Sequence, residues 1–205
     1  MGCTASQMSE THNMSNATQQ NNLLEQLKTS QMTDDYSFNG YEGWAKVVSV
    51  LDGDTLRIQI IYKGDIIQLR VRCAGYNSPE LKPSLKHENR QREIDNANRS
   101  MNRIIELTTN CQIDFDYTYS KQEIKQLLTT NTKLIFVKLY HFDNFGRALA
   151  VLYQNENDCQ TSKLSTTITN NTNTDNSINQ QMIKEKHAVE YYGERHNKNK
   201  DTLAP

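Results

Sequence analysis

The chain has 205 residues, of which 36% are hydrophobic and 23% charged, with a formal net charge of −1. This length accommodates one folded domain with polar tails. No apolar run approaches the roughly 18 residues of a membrane-spanning helix, and no secretory apolar segment follows the N-terminus. The four cysteines follow no metal-ligand spacing, which favours a reduced intracellular compartment over a disulfide framework.

The first residues, MGCTAS, predict lipid attachment. Gly2, with Ser6 at the required offset, matches an N-myristoylation motif, and the adjacent Cys3 is a candidate for palmitoylation. Because two acyl chains anchor a protein firmly, we expect a location on the cytoplasmic face of a membrane. Small polar N-termini also match this motif by chance, in which case the protein would be cytoplasmic.

Residues 1–40 are rich in Ser, Thr, Asn and Gln and contain few apolar anchors, which predicts a disordered tether. Within it, NNLLEQLKT at residues 21–29 favours a brief helix, too short to be stable alone. The same polar composition predicts a disordered, low-complexity insertion at 154–176, and we expect a flexible tail at 196–205.

Three segments alternate apolar with polar residues and are rich in β-branched side chains, which predicts a meander of strands. They are residues 44–51, 54–62 and 66–74, with DG and KGD as the intervening turns. From 88 to 109 the apolar residues recur at helical spacing, so we expect an amphipathic helix after the third strand.

Alternation returns at residues 112–117, and again at 133–140 and 147–153 around the turn HFDNFG, so strands are predicted there. A short inserted helix is predicted at 121–128, and a small closing helix within 177–192.

The order of these elements predicts an α+β fold that is mainly β with helices. We expect a five-stranded OB-fold barrel with a helix after the third strand and a small C-terminal helix. The domain would span residues 41–195, interrupted by the low-complexity insertion. Residues 41–153 carry 16 Lys and Arg against 13 Asp and Glu, which is compatible with an anionic ligand without identifying one.

Four clusters carry polar groups beside the predicted strands. They are DGDT at 52–55, the arginines at 70 and 72, NSPE at 77–80 and DNFGR at 143–147. Each alone is typical of an ordinary turn or of a surface arginine. Together they supply carboxylates and arginines from three turns, which indicates a site.

The chemistry of these clusters suits phosphodiester hydrolysis. Asp54 and Asn77 offer hard oxygen ligands of the kind that bind Ca²⁺. Glu80 is a candidate general base for the attacking water. Arg72 and Arg147 present planar forks that match phosphate oxygens and stabilise the charge of the transition state.

At this point the sequence resembles the staphylococcal nuclease (thermonuclease) family. The matching stretches are LDGDTLRI, LRVRCAGYNSPE and FDNFGRALAVLY, and more loosely SINQQMI and HAVEYY. The resemblance covers most of residues 44–153 and returns near 177–192. It implies an OB-fold and Ca²⁺-dependent cleavage of DNA and RNA, with single strands preferred, to products that end in a 3′-phosphate. We expect a monomer.

The resemblance also implies roles for individual residues. Asp54 falls at the direct metal carboxylate, Asp52 at an outer-shell acid, and Ser78 at a backbone carbonyl that binds the metal. The catalytic positions correspond to Arg72, Glu80 and Arg147. Tyr192 resembles a base-stacking tyrosine, although the insertion makes that alignment unsafe. Arg70 has no counterpart and is interpreted as a surface or structural residue.

Asn77 departs from the family, which has an aspartate before the [ST]PE motif. An amide oxygen still binds Ca²⁺, but the site loses one negative charge, so we expect weaker binding. Two alternatives remain open: an OB domain that binds nucleic acid or a protein partner without cleavage, and a membrane-anchored adaptor whose tails carry the function.

Overall fold

The computed structural model describes residues 19–30, 36–168 and 175–191. The chain divides into two units between Tyr36 and Ser37. The candidate functional residues that are described all belong to the second unit.

The first unit contains the helix α1 at residues 19–29. Leu23 and Leu27, four residues apart and therefore on one face, are both exposed. This helix agrees with the brief helix predicted at 21–29. Across the described residues, no helix combines the length and hydropathy that crossing a membrane requires.

The described part of the second unit forms seven strands. They are β1 Glu42–Val50, β2 Thr55–Tyr62, β3 Asp65–Cys73, β4 Tyr76–Asn77, β5 Leu134–Phe142, β6 Ala148–Tyr153 and β7 Val189–Glu190. Five of them close a barrel in the order β1–β2–β3–β6–β5. Its neighbouring strands are antiparallel except β3 and β6, which are parallel. The predicted five-stranded OB-type barrel of an α+β fold is confirmed.

Four helices accompany these strands: α2 Arg90–Leu107, α3 Lys121–Thr130, α4 Glu156–Ile168 and α5 Ile178–Lys184. The helix α2 follows the third strand, as predicted, and buries an apolar stripe that includes Ile104 and Ile105. The helix α3 begins at a capping box in which Ser120 and Glu123 each accept a hydrogen bond from the other's backbone N–H.

Alternation along the strands separates the core of the barrel from its outer surface. On β2, Leu56 and Ile58 are completely buried, whereas Arg57 between them is exposed. On β3, Val71 is completely buried and the preceding Arg70 is exposed. Since successive side chains point to opposite faces, the polar positions of both strands share one outer face.

Residues 112–117 form an irregular loop, so the strand predicted there is wrong. Asp114 accepts a hydrogen bond from the backbone N–H of Asp116 at 3.0 Å, which closes a local turn. The side-chain amide of Asn102 on α2 donates to the carbonyl oxygens of Asp114 and Tyr117 at 3.1 and 2.8 Å. A buried amide from another element thus replaces the ladder partners that a strand would need.

Residues 154–176 were predicted to be disordered, yet Glu156–Ile168 form helix α4. The prediction is therefore wrong for these residues. Asn155 accepts a hydrogen bond from a backbone N–H of the first turn at 3.0 Å and caps the helix. Cys159 is buried beside Phe136 of β5. Among the side chains of α4 that the structure describes, Cys159 is the buried one, and this anchor and one cap left little trace in a composition dominated by polar residues.

The small closing helix predicted within 177–192 is confirmed as α5. The helix α5 has 7 residues, Lys186 then adopts a φ of 62°, and β7 pairs antiparallel with β4. Asn179 of α5 is buried and accepts a hydrogen bond from the N–H of Leu152 at 3.0 Å. It donates to the carbonyl oxygens of Ala74 and Ala150 at 2.9 and 3.0 Å. The last segment is thereby fastened to the ends of β3 and β6.

Candidate active site

A cleft of about 660 Å³ lies among the β1–β2 turn, the end of β3, the segment after β4 and the β5–β6 turn. Seven residues selected from the sequence line it: Asp52, Asp54, Arg72, Asn77, Ser78, Glu80 and Arg147. Arg70, interpreted as a surface residue, is exposed outside this lining. Gly2, Cys3 and Tyr192 lie outside the described residues.

Gly53, in the β1–β2 turn, is required by a close approach of neighbouring side chains. A Cβ at this position would lie 2.1 Å from Ser100 Oγ on α2 and 2.7 Å from Ser78 Cβ. The buried Tyr76 donates a hydrogen bond from its Oη to the Gly53 carbonyl oxygen at 2.8 Å. The helix α2 and the strand β4 together fix the turn that carries both aspartates.

Asp54 is nearly buried, and both of its carboxylate oxygens have partners. Its Oδ1 accepts a hydrogen bond from Thr55 Oγ1 at 2.9 Å. Its Oδ2 accepts one from the N–H of Ser78 at 3.2 Å and lies 2.8 Å from Arg72 Nη1. Asp52 accepts a hydrogen bond from the Asp54 N–H at 3.0 Å. The carboxylate of Asp54 is therefore oriented, and Arg72 balances its charge.

Arg72 bridges two of the oxygens that the sequence assigns to a cation. Besides its ion pair with Asp54, its Nη2 donates hydrogen bonds to Asn77 Oδ1 and to the Tyr76 carbonyl oxygen. Gly75, with a φ of 83°, forms the tight connection between β3 and β4, a conformation that glycine adopts without strain. This turn brings Asn77 back toward the strand that carries Arg72.

Arg147 reaches the same group of side chains from the β5–β6 turn. Asp143 accepts hydrogen bonds from the backbone N–H groups of Phe145 and Arg147, both at 2.9 Å, and from Arg147 Nε at 2.7 Å. Burial alone would raise the pKa of Asp143, but these hydrogen bonds outweigh it and lower the pKa. Arg147 Nη1 also donates to Thr55 Oγ1 at 3.1 Å. The turn thus holds this guanidinium in a fixed position.

Glu80 differs from the aspartates and arginines of the cleft because it is exposed. Its backbone N–H donates to Glu93 Oε1 of α2 at 3.0 Å, which anchors the segment after β4. Its own carboxylate forms no hydrogen bond or ion pair with a described residue. The carboxylate therefore remains available to water and ligands that enter the cleft.

The oxygen donors of the cleft match a hard cation such as Ca²⁺ in chemistry. Asp52, Asp54 and Asn77 supply two carboxylates and an amide. Burial, and next the neighbouring charge of Asp54, raise the pKa of Asp52 to about 6, so negative charge is crowded there. Among the described residues, no three His, Cys, Asp or Glu side chains are grouped as metal ligands. The residues therefore fit a weakly bound cation that also uses amide, backbone or water oxygens.

Two aromatic residues at the cleft were missed in the sequence. The Tyr191 ring lies 5.9 Å from Arg72 Cζ, and the exposed Phe145 ring lies 5.3 Å from Arg147 Cζ. The sequence interpretation chose Tyr192 instead of Tyr191. The YY pair was a usable signal, and Tyr191 follows directly after β7, which pairs with β4 beside the cleft.

Comparison with known proteins identifies no family for this chain, since no protein-family model and no curated protein matches it. The resemblance to thermonucleases remains a prediction that rests on the motifs themselves.

Proposed function

We propose that this protein is a Ca²⁺-dependent endonuclease that hydrolyses phosphodiester bonds of DNA and RNA. The observation that carries the proposal is the placement of two arginines, an exposed glutamate and two aspartates on one cleft. These groups come from four separate segments of the chain. The substrate would be preferentially single-stranded, and the products would end in a 3′-phosphate.

The two arginines would bind the phosphate that reacts. Arg72 and Arg147 are both oriented by carboxylates, Asp54 and Asp143, so little ordering remains when substrate binds. Their planar forks can each donate two hydrogen bonds to phosphate oxygens, and negative charge grows on those oxygens in the transition state. Thr55 links the two arginines, because it accepts a hydrogen bond from Arg147 and donates one to Asp54.

Glu80 would act as the general base. Its exposed carboxylate accepts a proton from a water molecule as the water oxygen bonds to phosphorus. The bond from phosphorus to the 5′-oxygen breaks, and that oxygen takes a proton from solvent water and leaves as a 5′-hydroxyl group. The phosphate remains on the 3′-oxygen, which gives the expected product.

The calcium ion would be held by Asp54 and Asn77, with the Ser78 carbonyl as a further ligand and Asp52 nearby. When bound, Ca²⁺ neutralises phosphate charge and lowers the cost of bringing a water molecule to it. Arg72 already contacts both Asp54 and Asn77, so cation and guanidinium compete for the same oxygens. We therefore expect weak binding that strengthens when a phosphate engages Arg72.

Aromatic rings at the cleft suit a nuclease with little sequence preference, since every base can stack on a ring. Tyr191 lines the cleft and is a candidate for this role, and Tyr192 stays a prediction.

We further propose that Gly2 and Cys3 are acylated and tether the protein to the cytoplasmic face of a membrane. Gly2→Ala should release the protein into the supernatant after membrane sedimentation while leaving cleavage unchanged. Variant protein that still pellets with membranes would contradict acylation at Gly2.

One observation favours a second candidate, a domain that binds nucleic acid without cutting it. Arg72 is occupied by Asp54 and Asn77, and Asn77 lacks the charge that would attract a cation away from it. In this case nucleic acid would bind the cleft in the presence or absence of calcium and remain intact.

Cleavage of single-stranded DNA by the full chain, measured across a calcium titration with EGTA controls, tests the proposal. We expect calcium-dependent cleavage that is lost in Glu80→Gln, with 3′-phosphate ends on the products. Intact DNA at millimolar calcium, from a folded protein that binds it, would reject the nuclease and favour the second candidate.

A further inference from the structure

The outer face of β2 and β3 continues from the cleft as a ladder of cross-strand pairs. Thr55 lies opposite Arg72 in the cleft, and two residues further along each strand Arg57 lies opposite Arg70. Strands rise about 3.4 Å per residue, so the second pair lies about 7 Å from the first along the strands. Residues two apart share a face, and both pairs therefore belong to the surface that includes the cleft.

Arg57 and Arg70, termed the arginine pair below, form no ion pair with an acidic group of the described residues. Both are exposed, and neither forms a hydrogen bond or ion pair with a described residue. Residues 55–61 and 66–72, which make up most of these strands, contain no aspartate or glutamate. On the other side of Arg57, β1 places Ser49.

Placing like charges directly opposite each other across two strands destabilises a sheet. No hydrogen bond or ion pair of a described residue offsets this repulsion at either guanidinium. The adjacent pair beyond, Gln59 opposite Gln68, shows that neutral side chains of similar length suit this face. A pair of like charges that is unfavourable for the fold and lies beside a candidate site points to a ligand that relieves the repulsion.

We propose that the arginine pair binds a backbone phosphate of a polynucleotide next to the phosphate held in the cleft. Two planar guanidinium groups can surround one phosphate, and the separation along the strands is comparable to the step between successive phosphates of an extended single strand. Contacts to phosphate alone select no base, in keeping with a nuclease of low sequence preference. The inference rests on the proposed nucleic-acid substrate, and it adds where the chain of that substrate runs.

The proposed path of the polynucleotide from the cleft to the arginine pair is termed the track below. It can be tested by the binding of a fluorescein-labelled oligothymidylate. Binding is followed by anisotropy in calcium-free buffer over a series of salt concentrations. Cleavage plays no part in such a measurement. The variant Arg57→Gln/Arg70→Gln should weaken binding about 5-fold or more at low salt. The slope of log affinity against log salt should become shallower by about 0.7, since the pair contacts one phosphate and each phosphate contact contributes roughly 0.7 for single strands.

A matched control removes two positive charges from another surface. Lys121 and Lys125 on α3 are both exposed, so Lys121→Gln/Lys125→Gln changes the net charge equally. Its salt slope should stay within error of wild type. Equal losses in both double variants would mean that only net charge matters, and the proposed track would be rejected.

Thermal unfolding separates a binding role from a structural one. Relief of the like-charge contact should raise the melting temperature of Arg70→Gln while its affinity for the oligonucleotide falls. A lower melting temperature would make Arg70 a structural residue and overturn the proposal. Unchanged affinity and slope in the double variant, or no binding by wild type, would overturn it as well. If no variant and no wild type cleaves DNA yet the binding difference persists, the nuclease proposal fails and the track stands.

Discussion

Arg70 and Arg72 lie two residues apart on one face of one strand, yet their surroundings are opposite. Arg72 is 14% exposed and contacts Asp54, Asn77 and the Tyr76 carbonyl oxygen. Arg70 is exposed, its side chain forms no hydrogen bond or ion pair with a described residue, and it lies opposite another arginine across the sheet. The same residue type is a fixed part of the cleft in one case and a solvated charge in the other.

Under the proposed function, this difference would correspond to two ways of binding phosphate. The cleft uses aspartates to hold arginines still, which suits a transition state whose geometry must be matched within fractions of an ångström. The outer face of β2 and β3 that carries Arg57 and Arg70, termed the hairpin face below, leaves its charges unbalanced. This arrangement suits attraction of a flexible polyanion. Changes within the cleft should therefore affect turnover, and changes on the hairpin should affect binding and its salt dependence.

The largest effect should come from Glu80→Gln. This change keeps the shape of the side chain and removes its ability to accept a proton from water, so turnover should fall about 10²-fold or more. Affinity for an oligonucleotide in calcium-free buffer should stay near that of wild type or rise slightly, because a negative charge is lost. Turnover within a factor of about 3 of wild type would remove Glu80 from the base role.

Arg147→Lys should lower turnover by about 10-fold or more. Lysine keeps the charge, but its ammonium group cannot contact Asp143 and Thr55 and still present two parallel donors to a phosphate. A rate comparison under saturating DNA measures this effect. Arg70→Lys offers a control at which the charge alone should suffice, so its affinity should change little. Unchanged turnover in Arg147→Lys would mean that positive charge alone suffices in the cleft, as it is expected to do on the hairpin face.

Much of the fold could be predicted from the sequence because the barrel strands depend on alternation, which is local. The positions of the barrel strands, the helix after the third strand and the turn before Arg147 all follow from patterns that are short in sequence. The strand predicted at 112–117 failed because Asn102, on a separate element, satisfies the carbonyl groups of that segment. Helix α4 was missed because its burial depends on Cys159 meeting Phe136 across the fold.

As with the fold, part of the candidate site could be predicted from the sequence and part could not. Its charged residues were found, apart from Lys82, because turns next to strands concentrate polar groups and three motifs contained the rest. The pairing of Arg72 with Asn77 and the position of Tyr191 depend on β4 and β7, strands of two residues each that no periodicity reveals. Arg70 was interpreted as surface, since only the cross-strand register places Arg57 opposite it.

Asn77→Asp tests whether the cleft lacks one charge for tight calcium binding. A carboxylate at this position adds a charged ligand, so the calcium concentration for half-maximal cleavage should fall about 5- to 10-fold. The introduced carboxylate would also pair with Arg72, and maximal turnover should therefore not rise in proportion. A calcium midpoint that does not move would exclude residue 77 as a ligand. Asn89→Asp, before α2 and outside the cleft lining, adds the same charge as a control.

The smallest effect concerns the free energy of unfolding. Its change should have opposite signs for a charge removed beside the cleft and for one removed from the hairpin face. Asp143 has a lowered pKa because hydrogen bonds from Arg147 and Phe145 outweigh the effect of burial. A carboxylate whose pKa is lower in the folded state stabilises the fold above its unfolded pKa, near about 4, and loses that contribution as pH falls through the folded value. Asp143→Asn should therefore reduce the free energy of unfolding by about 1 kcal/mol at about pH 7, and the deficit should shrink below about pH 4.

Urea unfolding at neutral pH and again below the unfolded pKa of the carboxyl group measures the effect of Asp143→Asn. Arg70→Gln should shift stability in the opposite direction at neutral pH, because it removes a repulsion where Asp143→Asn removes an attraction. Shifts of the same sign would mean that the charges of the cleft and of the hairpin face are balanced alike, and the contrast between Arg72 and Arg70 would lose its physical basis.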